Sequence, residues 1–217
     1  MDAILARIDE KKKQLDAQRP LPPELVKNLD EWFRVAFTYA SNAIEGNTLS
    51  HAETALALEK GLTVEGKQLQ EHCDIIDDAN AISSIKKLAQ KKTSTLTTDD
   101  IAQAIFPNAA KVPELMTEFM QWLHAAHDHP IKIATVAHFK LVNIHPFVDG
   151  NGRTARLLMN LVLLQNGYPL AIIQKEDRKQ YIEAIETART KNSFDDFFTL
   201  VAQTVEKSLD SYLEALG

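Results

Sequence analysis

Cysteine, long apolar runs and basic clusters are all scarce in this chain of 217 residues. A single cysteine cannot form an intramolecular disulfide, so a disulfide-built secreted domain is excluded and a cytoplasmic location is expected. We interpret that residue, Cys73, as a small buried hydrophobe because no pattern typical of a nucleophilic cysteine surrounds it. No apolar run approaches the ~20 residues of a membrane span. We therefore expect a soluble protein with no membrane partner.

Charge also limits the classes of partner. The formal net charge is −6 at pH 7, and the densest basic run is the short one from Lys11 to Lys13. That run belongs to a peripheral helix predicted over residues 1–19. Because no basic face or tail is present, nucleic acid is not expected as a primary partner. Hydrophobic residues make up 45% of the chain, which is enough for one sizeable core.

The chemically richest stretch runs from His145 to Arg156 and reads HPFVDGNGRTAR. It combines an imidazole, a carboxylate, an amide and two guanidinium groups within a single turn. Gly150 and Gly152 flank Asn151 and can adopt positive φ without a steric cost. The backbone N–H groups around Asn151 can then converge on one point, which is typical of an anion-binding site.

A buried helix is predicted directly after this turn, from Arg153 to Gln165. Its residues are apolar almost all round, while Arg153, Arg156 and Asn160 share one face. The N-terminus of a helix favours phosphate, because its first N–H groups and the positive end of the macrodipole lie there. Both arginines are therefore expected to point toward the same ligand.

These residues resemble the HxFx(D/E)GNGRxxR signature of the Fic domain family, with every fixed position present. The resemblance implies an all-α Fic fold, a helical bundle around a central buried helix with at most a short β-hairpin flap. It also implies protein AMPylation, in which AMP passes from Mg-ATP to a Ser, Thr or Tyr hydroxyl of a target protein or of the enzyme itself. ATP and Mg²⁺ are the implied cofactors, and a homodimer is an implied assembly.

The resemblance assigns a role to each residue of the stretch. His145 takes the proton of the attacking hydroxyl, a task that suits an imidazole at neutral pH. Asp149 binds Mg²⁺, which typically takes only one or two protein carboxylates. The remaining roles are phosphate binding for Gly150, Asn151 and Gly152, charge neutralisation for Arg153 and Arg156, anchoring of the loop for Phe147, and lining of the adenine pocket for Tyr181, Ile182 and Ile185.

A second resemblance lies nearer the N-terminus. A helix predicted from Pro23 ends near Gly46, and its last turn resembles the (S/T)xxxE(G/N) inhibitory motif of a class of Fic proteins, with Ser41 and Glu45 at the fixed positions. The resemblance implies that Glu45 enters the interior and pairs with Arg156, so that the isolated protein is switched off. The residues alone also allow a helix that ends on a C′ glycine with Glu45 exposed.

Other segments predict helices and one departure from the family. Ser50 with Glu53 forms a capping box, and the segment from Pro130 to Ile144 favours a helix over a strand. Thr97 with Asp100 is expected to cap another helix that begins at Asp99. Only twelve residues then separate Asp100 from Pro113, so the family's usual β-hairpin flap is either much shortened or missing. We divide the chain into an N-terminal helical region, residues 1–92, and a Fic core, residues 93–217.

Three functions follow from these observations. The leading one is an AMP transferase that Glu45 holds inactive. The second is the reverse reaction, deAMPylation, in which Glu45 positions a water that releases AMP from a modified protein. The third is a catalytically idle nucleotide-binding or interaction module, which the shortened flap motivates.

Overall fold

The computed structural model describes residues 2–91, Thr97, residues 113–147 and residues 149–217. These residues form nine α-helices, one 3-10 helix and no strand, and none of the helices is long and apolar enough to cross a membrane. The all-α prediction is confirmed. The helices are α1 (Asp2–Ala17), α2 (Pro23–Ile44), α3 (His51–Lys60), α4 (Leu69–Leu88), α5 (Pro113–Ala125), α6 (Pro130–Ile144), α7 (Asn151–Gln165), the 3-10 helix (Lys175–Asp177), α8 (Arg178–Lys191) and α9 (Asp195–Leu216).

The chain forms two compact units. The first comprises Met1–Ile76 and Tyr168–Gly217, and the second is Asp77–Gly167. The first unit contains α1, α2, α3, α8 and α9, whereas the second contains α5, α6 and α7. The boundary near residue 76 falls within α4. The division predicted from the sequence, between residues 92 and 93, lies outside the described residues and stays a prediction, as does the shortened flap after Asp100.

Within the first unit, α1 packs along α9, its partner from the opposite end of the chain. Ile8 is completely buried. Arg7 pairs with Glu206 at 3.1 Å, and Lys11 pairs with Asp210 at 2.6 Å. The helix predicted to be peripheral is therefore an integral part of this unit, because it supplies apolar side chains to the core and two cations to the acidic face of α9.

The ends of α2 and α3 follow local sequence signals. Helix α2 begins at Pro23, the first-turn position at which a helix accepts proline. At the start of α3 the Glu53 N–H donates to Ser50 Oγ at 3.3 Å, and the Ser50 N–H donates to Glu53 Oε2 at 2.7 Å. Gly61 ends α3 in the left-handed conformation with φ 63°. The predicted capping box is confirmed.

In the second unit, α6 packs against both α5 and α7. The helix predicted from Pro130 to Ile144 is confirmed as α6. Helix α7 begins at Asn151 rather than at Arg153, because Gly150, with φ 80°, already provides its N-cap. The apolar residues of α7 lie in the core of this unit: Leu157, Leu158, Met159, Leu161 and Leu163 have no exposed surface.

Cys73, which was expected to be buried, is exposed, and so is the apolar Leu115. Cys73 precedes the fully buried Ile75 by two residues on α4, which places it about 200° around the helix and turns it to solvent. Leu115 on α5 is 50% exposed, while its neighbours Met116 and Phe119 are buried.

The packing of α1 on α9 generates a prediction about stability. Replacing Ile8 with alanine removes a fully buried side chain and should lower the free energy of unfolding by about 2–4 kcal/mol. Urea denaturation followed by circular dichroism measures this loss. Lys13→Ala, an exposed position on the same helix, is the matched control and should leave the midpoint unchanged. Equal midpoints for Ile8→Ala and wild type would show that α1 contributes nothing to this core.

Candidate active site

His145 lies at the junction between α6 and the loop that leads to α7. It is the C-cap of α6 and adopts the left-handed conformation, with φ 51° and ψ 55°. Its N–H donates to the carbonyl of Leu141 at 3.0 Å. That backbone geometry costs a non-glycine residue roughly 1–2 kcal/mol, and it occurs here at an exposed histidine. The fold therefore holds the imidazole at the surface through a strained backbone, as is common at functional positions.

Asn151 fixes the shape of the loop. The Phe147 N–H donates to Asn151 Oδ1 at 3.0 Å, and Asn151 Nδ2 donates to the Phe147 carbonyl at 2.7 Å. Asn151 is buried, and Phe147 is half-buried. The amide that the sequence assigned to phosphate thus binds the loop backbone here. Its contribution to a ligand site is to hold the loop against the first turn of α7.

The first turn of α7 presents the donors of an anion site. The Thr154 N–H donates to the Gly150 carbonyl at 2.8 Å, which begins the intrahelical hydrogen bonds. The N–H groups of residues 151–153 precede that bond and have no acceptor within the helix. Gly150, with φ 80°, makes the sharp approach to this turn. The macrodipole adds positive potential at the same point.

Both arginines of the stretch are buried on α7. Arg153 is 8% exposed and Arg156 is 2% exposed. Arg153 Nη2 lies 3.4 Å from Asp149 Oδ2, and the Asp149 side chain is 91% exposed. Asn160 Nδ2 donates to the Arg156 carbonyl at 3.0 Å. The predicted polar face of α7 is therefore present inside the protein, with one carboxylate at its solvent end.

His138 on α6 belongs to the same buried region, although sequence reasoning did not identify it. The side chain is fully buried, and this burial, together with the positive charge of Arg156, lowers the pKa of His138 from 6.5 to about 3. The imidazole is consequently neutral at physiological pH beside a permanent cation. A polar residue inside the apolar face formed by Ala134 and Leu141 is the sequence signal that could have found it.

A magnesium ion suits the donor set at the loop. Among the described residues, no three His, Cys, Asp or Glu side chains cluster closely enough to hold a metal by themselves. Asp149 provides one exposed carboxylate beside a turn that suits phosphate. Mg²⁺ is usually bound by one or two carboxylates together with substrate phosphates and water. The residues present fit such a shared ion.

The residues of the inhibitory motif lie at the end of α2, in the first unit. Ser41 is buried, whereas Glu45, the C-cap of α2, is exposed. Gly46 follows with φ 100°. The expectation that Glu45 lies in the interior is wrong, because the chain leaves the helix at this residue. The helix ends on a C′ glycine with Glu45 exposed, as the residues alone allow. The pairing with Arg156 stays a prediction.

The three residues assigned to the adenine pocket lie on α8, also in the first unit. Tyr181 and Ile185 are 2% and 7% exposed, and the Tyr181 ring lies 6.0 Å from that of Phe197. Ile182 is 47% exposed. Tyr181 and Ile185 therefore contribute mainly to the core of the unit, and Ile182 offers most of the surface that a nucleotide base could contact.

Comparison with known proteins gives this site its context. Residues 67–163 match the model of the Fic/DOC family, a span that contains the whole stretch from His145 to Arg156. The chain belongs to the Fic/DOC family.

Curated Fic proteins are similar to nearly the whole chain. It is 34% identical to the protein adenylyltransferase Fic of Culex quinquefasciatus, over 96% of this chain and 47% of that protein. Identity to the protein of the same name from Drosophila virilis is 36%, over 97% of this chain and 49% of that protein. The chain thus spans about half the length of the curated Fic proteins it matches.

Solved Fic structures agree with the fold. Fic-1 from C. elegans superposes with a TM-score of 0.88 at 29% identity, covering 99% of this chain and 71% of that one. A Fic domain containing signaling protein from Bacteroides thetaiotaomicron superposes with a TM-score of 0.85 at 27% identity, covering 98% and 97%. The Fic fold expected from the sequence is confirmed.

The hydrogen bonds of Asn151 generate a prediction that distinguishes the role of its Oδ1 from that of its Nδ2. In Asn151→Ala the Phe147 amide loses its acceptor, so its hydrogen exchange should accelerate about fivefold, as expected for a hydrogen bond of roughly 1 kcal/mol. Asn151→Asp keeps an acceptor oxygen and should protect the amide better than alanine does. NMR-detected exchange measures both, with Asn143→Ala, an exposed position on α6, as the control. Unchanged exchange in Asn151→Ala would contradict the role given to this side chain.

His138 generates a prediction about pH. Between pH 6.5 and pH 3 the unfolded chain binds a proton at this residue and the folded chain does not. The stability that depends on neutral His138 is therefore complete above pH 6.5 and is lost as the pH falls toward 3. His138→Gln should reduce this slope in urea denaturation series, whereas His127→Gln, at an exposed position, should not. An unaltered slope in His138→Gln would count against a neutral buried imidazole.

Proposed function

We propose that this protein is an AMP transferase that moves AMP from Mg-ATP to a Ser, Thr or Tyr hydroxyl of a target protein or of itself. The observation that carries the proposal is the arrangement of the loop from residue 145 to 150. It places an exposed imidazole and an exposed carboxylate beside the N-terminus of a helix with two buried arginines. The names of the curated relatives support this reaction.

The triphosphate is the part of ATP that the helix N-terminus suits. The N–H groups of residues 151–153 and the macrodipole of α7 favour a phosphate in the turn. Arg153 and Arg156 supply permanent positive charge for the leaving pyrophosphate. Because both side chains are buried, their charges are screened less by solvent and act more strongly on a bound anion. Asn151 supports this binding by holding the loop in place.

Asp149 is the residue that would hold Mg²⁺. Its carboxylate is exposed and only loosely paired with Arg153, at 3.4 Å, so an ion shared with the phosphates can replace that contact. When bound, Mg²⁺ supplies charge neutralisation and orientation to the phosphate groups. The role of this chain is to provide one hard oxygen ligand at the edge of the anion site.

His145 is the proposed base. Its imidazole accepts the proton of the acceptor hydroxyl while that oxygen attacks the α-phosphorus of ATP. The bond from the α-phosphorus to the bridging oxygen breaks, and pyrophosphate leaves with the bonding electron pair. The left-handed backbone at His145 holds the imidazole at the surface, where a side chain from another protein can reach it.

The acceptor segment is held without the family's usual flap in this proposal. The chain between Asp100 and Pro113 leaves that hairpin either much shortened or missing. The alignment with the Culex protein extends over 238 residues, more than the 217 of this chain, so that protein has residues in the matched region that this chain lacks. An exposed His145 supports direct access for the acceptor.

We further propose that Glu45 holds the enzyme inactive by pairing with Arg156. A carboxylate that binds this guanidinium removes a cation that the triphosphate needs. Burying the Arg156 charge without an anion costs free energy, so the pair also stabilises the inactive state. Release of Glu45 then frees the guanidinium for ATP.

Labelling with ATP that carries ³²P at the α-phosphate tests the proposal. Glu45→Gly should label itself or a protein of a cell lysate on the order of tenfold more strongly than wild type, in keeping with a coupling of 1–3 kcal/mol. Adding His145→Ala should abolish the label. Glu65→Gly is a matched control, because Glu65 is also an exposed glutamate before a glycine of positive φ, Gly66. It should behave as wild type.

Other outcomes of this experiment would support the other readings. A Glu45→Gly variant that binds ATP but labels neither itself nor a lysate protein contradicts AMP transfer and supports an idle nucleotide-binding module. Loss of label from a previously AMPylated protein, seen with wild type and absent in Glu45→Gly, supports deAMPylation instead. Label that persists in the His145→Ala background contradicts the role of His145 as the base.

A further inference from the structure

The last carbonyl of α2 is bound by a side chain from a distant part of the chain. Arg178 Nε donates to the Ile44 carbonyl at 2.7 Å. Ile44 is 2% exposed, so water has little access to this carbonyl, and a buried carbonyl requires a donor. Arg178 is the first residue of α8, and the 3-10 helix just before it packs against α2. Glu45 follows Ile44 directly in the chain.

The other carbonyls at this end of α2 are bound locally. The Glu45 N–H and the Asn47 N–H donate to the Asn42 carbonyl at 3.1 and 3.0 Å, and the Gly46 N–H donates to the Ala43 carbonyl at 3.2 Å. These bonds stay within six residues of sequence. The bond to the Ile44 carbonyl instead joins residues 134 positions apart. A cation is well suited to it, because the C-terminus of a helix carries negative potential.

The chain after Glu45 is held as well. Asn47 Nδ2 donates to the Glu71 carbonyl at 2.9 Å, and the Thr48 N–H donates to Glu71 Oε1 at 2.6 Å. The backbone N–H groups of Thr48 and Gln68 both donate to the Glu71 carboxylate. They lower the pKa of Glu71, so this residue is ionised at neutral pH. Glu45 therefore lies in a turn with one support on each side, Arg178 before it and Glu71 after it.

We propose that Arg178 is a positioning residue for Glu45, an inference that rests on the inhibitory role of Glu45 proposed above. By binding the Ile44 carbonyl, Arg178 sets the direction in which the chain leaves α2. That direction places the Glu45 carboxylate where it inhibits. Without Arg178 the Ile44 carbonyl loses this donor and depends on water. The turn then samples other conformations, so Glu45 spends less time in its inhibitory position.

Substitution of Arg178 tests the proposal in the α-³²P labelling assay with the full chain. Arg178→Ala should raise labelling about fivefold over wild type, a smaller gain than that of Glu45→Gly because the carboxylate is still present. Arg178→Lys keeps a cation that can donate to the carbonyl and should restore most of the inhibition. Lys179→Ala is the matched control, since its 87% exposed side chain pairs only loosely with Glu183 at 3.8 Å. It should label as wild type.

The double variant separates positioning from other roles. In the Glu45→Gly background, Arg178→Ala should change labelling by less than about 1.5-fold, because the group that it positions is gone. Hydrogen exchange supplies a second readout that does not depend on activity. The amides of Glu45, Gly46 and Asn47 should exchange faster in Arg178→Ala, while the amide of Thr54 in α3 should not.

Each contrary result overturns a different statement. If Glu45→Gly is activated and Arg178→Ala labels as wild type, the positioning role is wrong and the inhibitory role stands. A fall in labelling when Arg178→Ala is added to Glu45→Gly shows that Arg178 acts on substrate or folding instead. If Glu45→Gly itself is not activated, the proposed inhibition fails, and with it the inference. If Arg178→Ala does not fold, Arg178→Lys decides through the exchange of the same three amides and the labelling together: faster exchange with raised labelling supports the positioning role, and faster exchange with wild-type labelling overturns it.

Discussion

The two hydrogen bonds between Asn151 and the backbone of Phe147 are the interaction on which the rest of the candidate site depends. They join the loop after α6 to the first turn of α7, so that one side chain determines both the entry to the helix and the course of the loop. His145, at the start of the loop, has a strained left-handed backbone, and this fixed connection helps to hold it in that conformation. An exposed histidine and a helix N-terminus that suits an anion thereby lie on the same short segment of chain.

Buried charge is the second constraint on the site. Arg153 and Arg156 lie on a helix whose other residues are apolar and buried, where an unbalanced cation is costly. The region limits that cost by keeping His138 neutral beside Arg156 rather than adding a second positive charge. Asn160 binds the carbonyl of Arg156 and so adds a polar contact without adding charge. The two guanidinium groups give this face of α7 a permanent positive charge.

The turn after α2 illustrates how an exposed side chain can still be well placed. Glu45 is exposed, yet the backbone on either side of it is bound by Arg178 and Glu71. The freedom of the carboxylate is then limited to its own side-chain torsions.

Local signals in the sequence determined the capping box at Ser50, the start of α2 at Pro23 and the anion-binding turn at Gly150, because each depends on residues only a few positions apart. The order of residues from His145 to Arg156 likewise determined the family. Tertiary structure decided the rest. Whether Cys73 is buried, which partner binds the Ile44 carbonyl, and how far the pKa of His138 falls all depend on segments distant in sequence. Burial and electrostatic potential are sums over the packed neighbours of a residue, and only the folded chain brings those neighbours together.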